Sequence, residues 1–203
     1  MYPFFETICL EKDGFHLLAY HQKRLNDVFL KFYPGEKPWE LKKLLQPVPK
    51  VQTKTKCRFV YGKDGYQIFY EPYTLRRIEK VRILEKDISY PYKFTDRAEF
   101  EKYASLCKDG EMVVFSREGH ITDSLVSNVV FFDGKHWITP TTYLLNGVKR
   151  QFYLEKHRIL EKEITIQDMK SYTHIGFINA MIDLEELVLP ITAVEVIHGL
   201  EEF

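Results

Sequence analysis

No apolar run in this sequence approaches the roughly 18 to 20 residues that a membrane-spanning helix needs. The start, MYPFFETICLEKDG, has neither the basic region nor the long apolar stretch of an export signal, so a cytoplasmic protein without a membrane segment is expected. Cysteine is scarce. Cys9, Cys57 and Cys107 are odd in number and far apart, with no CxxC pair, which argues against a disulfide framework or a zinc knuckle and reads them as small buried hydrophobes. The ten glycines contain no GxGxxG and no GxxxxGK, so dinucleotide and P-loop nucleotide binding are unsupported. His120, His136 and His174 are isolated and lack metal-ligand spacing, and no metal is expected. Net charge is zero, yet the halves differ, with 19 Lys and Arg against 12 Asp and Glu before residue 98, and 10 against 17 after it. The basic residues are scattered, without a stripe or an RNA-type aromatic motif, so complementary domains or a pocket for anions are expected in place of nucleic-acid binding.

What is present suits a mixed fold. At 203 residues, 45% hydrophobic and 15% aromatic, the chain can bury a core as one large domain or two small ones. Phe4 to Leu10 reads as a strand, Asp13-Gly14 as its turn, and Phe15 to Leu18 as the return. From Tyr20 the apolar positions move to helical spacing at Leu25, Val28, Phe29 and Phe32, until Pro34-Gly35 stops the helix. A second helix is predicted over Trp39 to Leu45, after which PVPKVQTKTK has no period and reads as a loop. Cys57 to Tyr61 and Tyr66 to Tyr73 form a predicted hairpin around Lys63-Asp64-Gly65, with Val81 to Leu84 as a third strand of that meander. A helix over Ala98 to Leu106 and a strand from Glu111 to Ser116 follow, with a turn at Glu118-Gly119. Near the end come a short strand from Glu163 to Ile166, a helical turn over Gln167 to Ser171, and two apolar strands in THIGFINAM and Ile191 to Ile197.

The stretch ITDSLVSNVVFFDGKHWITPTTYLLNGVKR, Ile121 to Arg150, holds two kinds of signal. Ser127 to Phe132 is a strand, Asp133-Gly134 a hairpin turn and His136 to Ile138 the return, stopped by Thr139-Pro140. Gly147 then opens a helical segment whose first free N–H groups lie at Val148 and Lys149, and such a helix start can hold an anion. Upstream, HQKRL sets His21, Arg24 and Leu25 on the first helix, and a guanidinium offers phosphate a planar fork. Taken alone, Arg24 reads as a solvated helix residue, Lys93 as one surface lysine among many, and Asp123 as the cap of a turn into Ser127.

An acidic residue at a strand entrance, an Asn in that strand, a TP stop, an LLxGxxR helix start and an upstream H-x-x-R-L together resemble the class IV (fold type IV) pyridoxal-phosphate enzymes. That family includes branched-chain and D-amino-acid aminotransferases and 4-amino-4-deoxychorismate lyase, and the resemblance runs from near Phe5 to about Pro190. It implies an α+β fold in two lobes, a small α/β lobe over residues 1–87 and a larger β-rich lobe over 88–203, with pyridoxal 5′-phosphate between them. The roles it implies are these. Arg24 binds the cofactor phosphate. Lys93, in a K-x-x-x-R setting with Arg97 ahead of a helix, bonds the cofactor aldehyde and serves as catalytic base and acid. Asp123, with Asn128 nearby, faces the ring nitrogen. The N–H groups of Val148 and Lys149 hold the phosphate, and its last contact comes at Asn179 and Ala180.

The sequence departs from the family in three places. Glu usually stands where Asp123 is, and Thr or Ser often stands where Ala180 is, so the contact there is expected from Asn179 or from backbone N–H. The family also usually carries some twenty further residues, and an aromatic on the substrate side, before the first hairpin, whereas FETI begins here at Phe5. The expectation is an N-terminally shortened member whose pocket is more open or is completed by a partner subunit, since homodimers are the rule. The setting of Lys93 and the NAM at Asn179 resemble lyase members. Elimination of pyruvate from an amino-chorismate-type substrate is therefore expected ahead of amino-acid transamination, and both ahead of a degenerate binding protein.

Overall fold

The structure, a computed structural model, describes residues 2–199 and divides into two compact units, Met1–Thr74 with Tyr92–Asp96, and Leu75–Pro91 with Arg97–Phe203. In the first unit, strand β1 (Phe4–Glu11) turns back into the two-residue β2 (Gly14–Phe15). Gly14 has a φ of 118°, a conformation that a side chain would resist. Helix α1 (Leu18–Phe32) and the single-turn α2 (Leu41–Leu44) lead to the hairpin of β3 (Thr55–Gly62) and β4 (Gly65–Pro72). The strands form one antiparallel sheet in the order β2-β1-β3-β4. Alternation sends Phe4 and Ile8 of β1 and Cys57, Phe59 and Tyr61 of β3 to one face, where they pack with Leu25, Val28 and Phe29 of α1.

The predicted helix over Trp39 to Leu45 shrinks to Leu41–Leu44 for a local reason. Gln22 accepts the Leu41 N–H and donates to the Trp39 carbonyl, both at 2.8 Å, so the backbone entering the turn is held by a side chain of α1. The segment Tyr92–Asp96 completes the unit. Its Tyr92 and Phe94 pack on the core, the Lys93 carbonyl accepts the Phe5 N–H at 3.0 Å, and the Thr95 N–H donates to the Pro3 carbonyl at 2.8 Å.

The second unit begins with β5 (Lys80–Glu85), α3 (Ala98–Leu106), β6 (Glu111–Arg117), β7 (His120–Ser124), β8 (Asn128–Phe132) and β9 (Trp137–Pro140). Helix α4 (Val148–Glu155), β10 (Leu160–Lys162), β11 (His174–Ile178), β12 (Val188–Pro190) and β13 (Val194–Ile197) follow. The sheet runs β10-β9-β8-β7-β6-β5-β13, with β11 pairing both β8 and β12. Three expectations change here. Val81 to Leu84 lies in β5, which pairs in parallel with β6 and β13 and adds nothing to the β3–β4 hairpin, so the sheet boundary falls before β5 and not near Asp87. The short strand expected over Glu163 to Ile166 is instead Leu160–Lys162, parallel to β9, while Thr165 makes only a bridge to His120. Ile191–Ala193 is a turn of 3-10 helix ahead of β13.

Candidate active site

In the first unit Glu6 lies on the β1 face that packs against α1, and its side chain is 0% exposed. The His21 ring contacts Glu6 Oε2 through Nδ1 at 2.6 Å; Arg24 donates to Oε1 from Nε at 2.8 Å and to Oε2 from Nη2 at 2.5 Å. Burial alone would raise the Glu6 pKa, but the Arg24 charge and the hydrogen bonds from His21 and Arg24 overcome it and hold the group at about 2. Burial lowers the His21 pKa, against the pull of Glu6, so the ring is neutral at pH 7. A carboxylate only accepts, so the His21 proton sits on Nδ1 and Nε2 is left as a buried acceptor without a hydrogen-bond partner. Arg24, the predicted phosphate ligand, therefore belongs to a built cluster and not to a solvated helix face.

Lys93 reaches the other face of the same sheet. Its Nζ lies 4.6 Å from the centroid of the Phe5 ring, and Arg58 Cζ lies 4.0 Å from that centroid. Phe5 is buried, and Arg58, Tyr2, Val60, Gln67 and Thr95 line an open pocket beside it. An amine and a guanidinium gathered at one aromatic ring suit a substrate that carries an anionic group close to its reacting centre. The sequence reading missed Arg58. The signal was available, because alternation in Thr55–Gly62 sets Arg58 and Val60 opposite the core face of Cys57, Phe59 and Tyr61.

In the second unit Asp123 lies within β7, not at a strand entrance, directly across from Asn128 of β8. Asp123 Oδ1 accepts from Asn128 Nδ2 at 2.8 Å, and Oδ2 accepts the N–H groups of Leu144 and Leu145 at 2.9 and 3.0 Å. Burial pushes the Asp123 pKa up to about 6 in spite of these hydrogen bonds and the nearby Arg150. Asn128 Nδ2 also donates to the Leu145 carbonyl at 2.9 Å, so Asp123 and Asn128 jointly fix the loop that enters α4. Arg97, the end of the K-x-x-x-R pattern, donates to the Leu125 carbonyl at 2.5 Å and so braces the turn of the same hairpin.

Helix α4 starts at Val148 with Gly147 as an N-cap that makes no side-chain cap, and helix geometry leaves its first N–H groups without intrahelical acceptors. The Lys149 ammonium is held by Asp183 at 2.5 Å, so this residue offers an anion its backbone N–H alone. Asn179 Nδ2 donates to Ser127 Oγ at 2.9 Å and to the Val126 carbonyl at 3.2 Å, while its Oδ1 accepts the N–H groups of Met181 and Ile182, with Ala180 in the turn between. The amide is thus engaged in joining the β7–β8 turn to the end of β11. Asp123, Asn128, Val148, Lys149, Asn179 and Ala180 all fall in this unit, and Arg24 and Lys93 in the first.

Gly147 is required by space and not by its backbone angles, which are ordinary. A Cβ there would stand 2.0 Å from Asn128 Oδ1. Gly147→Ala should therefore displace Asn128 and the loop tied to it, and lower stability by about 1–3 kcal/mol in urea unfolding. A variant as stable as wild type would show that the loop can shift freely.

The Amino-transferase class IV family profile matches residues 4–194. An uncharacterized protein of Haemophilus influenzae is 31% identical over 186 residues, covering 89% of this chain and 98% of that one. A crystal structure described as a putative 4-amino-4-deoxychorismate lyase of Haemophilus somnus 129PT superimposes with a TM-score of 0.85 at 30% identity, over 91% of this chain and 98% of that one. The pyridoxal-phosphate-bound form of a hypothetical aminotransferase from Mycobacterium tuberculosis shares the fold, with a TM-score of 0.73 at 15% identity over 95% of this chain and 81% of that one. The chain belongs to the class IV aminotransferases, a family of pyridoxal-phosphate-dependent enzymes.

Proposed function

We propose that the protein is a pyridoxal-phosphate-dependent lyase of the 4-amino-4-deoxychorismate type, releasing pyruvate from a carboxylate-bearing amine. The observation that carries the reading is that Lys93 Nζ and Arg58 Cζ each lie over the Phe5 ring, at 4.6 and 4.0 Å from its centroid, so that a primary amine and a guanidinium are held at one aromatic side chain. The residues also suit the cofactor. The Arg24 guanidinium in the first unit and the N–H groups at the start of α4 in the second are each donors of the kind that a phosphate dianion accepts from. A buried carboxylate whose proton affinity is already raised, Asp123, matches a pyridinium N–H. Asn179 and Ala180 would add backbone donors at the phosphate, because the Asn179 amide itself is engaged.

When bound, pyridoxal phosphate withdraws electrons from the carbon that bears the substrate nitrogen. Lys93 would hold the cofactor through its ε-amino group and, with substrate in that place, the same amine would take the proton from that carbon and pass it to the methylene carbon of the departing enolpyruvate, which leaves as pyruvate. Arg58 would orient the substrate carboxylate and Asp123 would keep a proton on the ring nitrogen, with Asn128 holding Asp123 in place. The lyase is preferred over transamination on the K-x-x-x-R setting of Lys93, the NAM at Asn179 and the likeness to the Haemophilus somnus protein. We further propose that it works in the cytoplasm as a homodimer, as family members do.

The test is direct. Purified holoprotein supplied with 4-amino-4-deoxychorismate should release one pyruvate per aromatic amine formed, followed with lactate dehydrogenase. Amino-group transfer from D-alanine or leucine to 2-oxoglutarate, with no pyruvate from the chorismate amine, would replace the lyase by an aminotransferase.

A further inference from the structure

Glu6 stands on β1 between Phe4 and Ile8 on a face otherwise packed with apolar side chains, and it carries a full charge with no exposure. A buried ion pair seldom stabilises a fold more than well-packed apolar residues of similar volume would, so core packing alone does not account for an acid here. What Glu6 does achieve is direction. The carboxylate takes Nε and Nη2 of Arg24 as a two-toothed fork, which makes the guanidinium coplanar with it and turns the Nη1 edge away. His21 holds the carboxylate from a third side at 2.6 Å, at the cost of leaving its own Nε2 without a partner in the core. A strained arrangement of this kind persists when the orientation it secures matters.

We propose that Glu6, backed by His21, is the positioning residue for Arg24, fixing which guanidinium edge is offered to the cofactor phosphate; this rests on the reading that Arg24 binds that phosphate. The pair is electrically neutral as a unit. Phosphate is then recognised by an aimed edge of donors more than by a net positive charge, and loss of Glu6 should weaken binding even though it removes a negative charge from the neighbourhood of a dianion. A purely coulombic role would give the opposite sign.

The experiment is a double-mutant cycle on pyridoxal-phosphate affinity, titrating the apoprotein of wild type, Glu6→Gln, Arg24→Ala and the double variant. Gln keeps the size and accepts one Arg24 hydrogen bond, but its amide N–H₂ must face another donor. Arg24→Ala is expected to raise the dissociation constant about a hundredfold. Glu6→Gln should raise it about tenfold in the wild-type background and less than twofold when Arg24 is already absent, because Glu6 acts through Arg24. Should Glu6→Gln not fold, Glu6→Asp keeps the charge, is one methylene short of both partners, and should show the same coupling at smaller size. If Arg24→Ala leaves affinity unchanged, the phosphate reading fails and takes the proposal with it. If Arg24→Ala weakens binding but Glu6→Gln binds like wild type or tighter, the phosphate reading stands and the positioning role is overturned. An equal loss in both backgrounds also overturns it, by showing that Glu6 supports the fold and not the aim of Arg24.

Discussion

Lys93→Ala is expected to give a folded protein that retains no cofactor adduct after borohydride reduction and has lost at least about four powers of ten in turnover, near 5 kcal/mol of transition-state stabilisation. Folding should survive, because Lys93 enters the first unit's hydrogen bonding through its backbone carbonyl, which accepts the Phe5 N–H whatever the side chain. Two other lysines serve as internal controls. Lys149 is buried with its ammonium held by Asp183 at 2.5 Å, and Lys102 is exposed on α3. Neither environment frees an amine for attack on an aldehyde. Peptide mapping of the reduced wild-type protein should find the added mass on the peptide that contains Lys93, and mass on Lys102 or Lys149 instead would overturn the assignment.

Asp123→Asn should be the second most damaging change, through two routes that can be separated. Asparagine loses the charge that holds a proton on the ring nitrogen, and the proton-transfer step should slow by two or more powers of ten, about 3 kcal/mol or more. It also breaks a buried network. With its oxygen toward the Leu144 and Leu145 N–H groups, its amide nitrogen meets the Asn128 amide nitrogen, which cannot turn over because it also donates to the Leu145 carbonyl. That donor–donor contact should cost about 1–3 kcal/mol of stability. The pH dependence distinguishes the two effects. Burial raises the Asp123 pKa from 3.8 to about 6, so its contribution to the stability of the apoprotein is complete below about 3.8 and is lost as pH rises through about 6. The stability difference between wild type and Asp123→Asn in urea should thus narrow from pH 4 to pH 7, while the single-turnover defect persists at pH 7. Equal single-turnover rates for the two proteins would mean that another group, or none, serves the ring nitrogen. Asp123→Glu should fall between them, since it keeps the charge but adds a methylene to a site that is 5% exposed.

The hairpins were legible because their turns are written in residues that tolerate positive φ, such as Gly14, Gly119 and Gly134. The helix over Ala98–Leu106 was legible from the spacing of Phe100 and Tyr103, the two residues it buries. Strand partners were not. Lys80–Glu85 looks locally like a third meander strand, and nothing in six residues says that it will run parallel to β6 and β13. Leu160–Lys162 is exposed along its whole length and so shows no alternation to detect. The expected site residues were legible through the order of family motifs, whereas the residues that fix them in place were not. Neither Glu6 nor Arg58 was among the expected site residues; sheet register puts the first under α1 and the second beside Phe5.

The short segment Tyr92–Asp96 has a consequence for the order in which the protein is made. The first unit's sheet, helix α1 and the Glu6–His21–Arg24 cluster are complete within the first 74 residues, but its lysine arrives only after the chain has begun β5 of the other unit. A nascent or truncated chain ending near Thr74 therefore holds Arg24, the proposed phosphate ligand, without Lys93, the proposed anchor of the aldehyde. On the proposed role of Lys93, covalent capture of the cofactor would become possible only once that residue has been synthesised and docked against Phe5, which would tie the appearance of a reactive site to late synthesis.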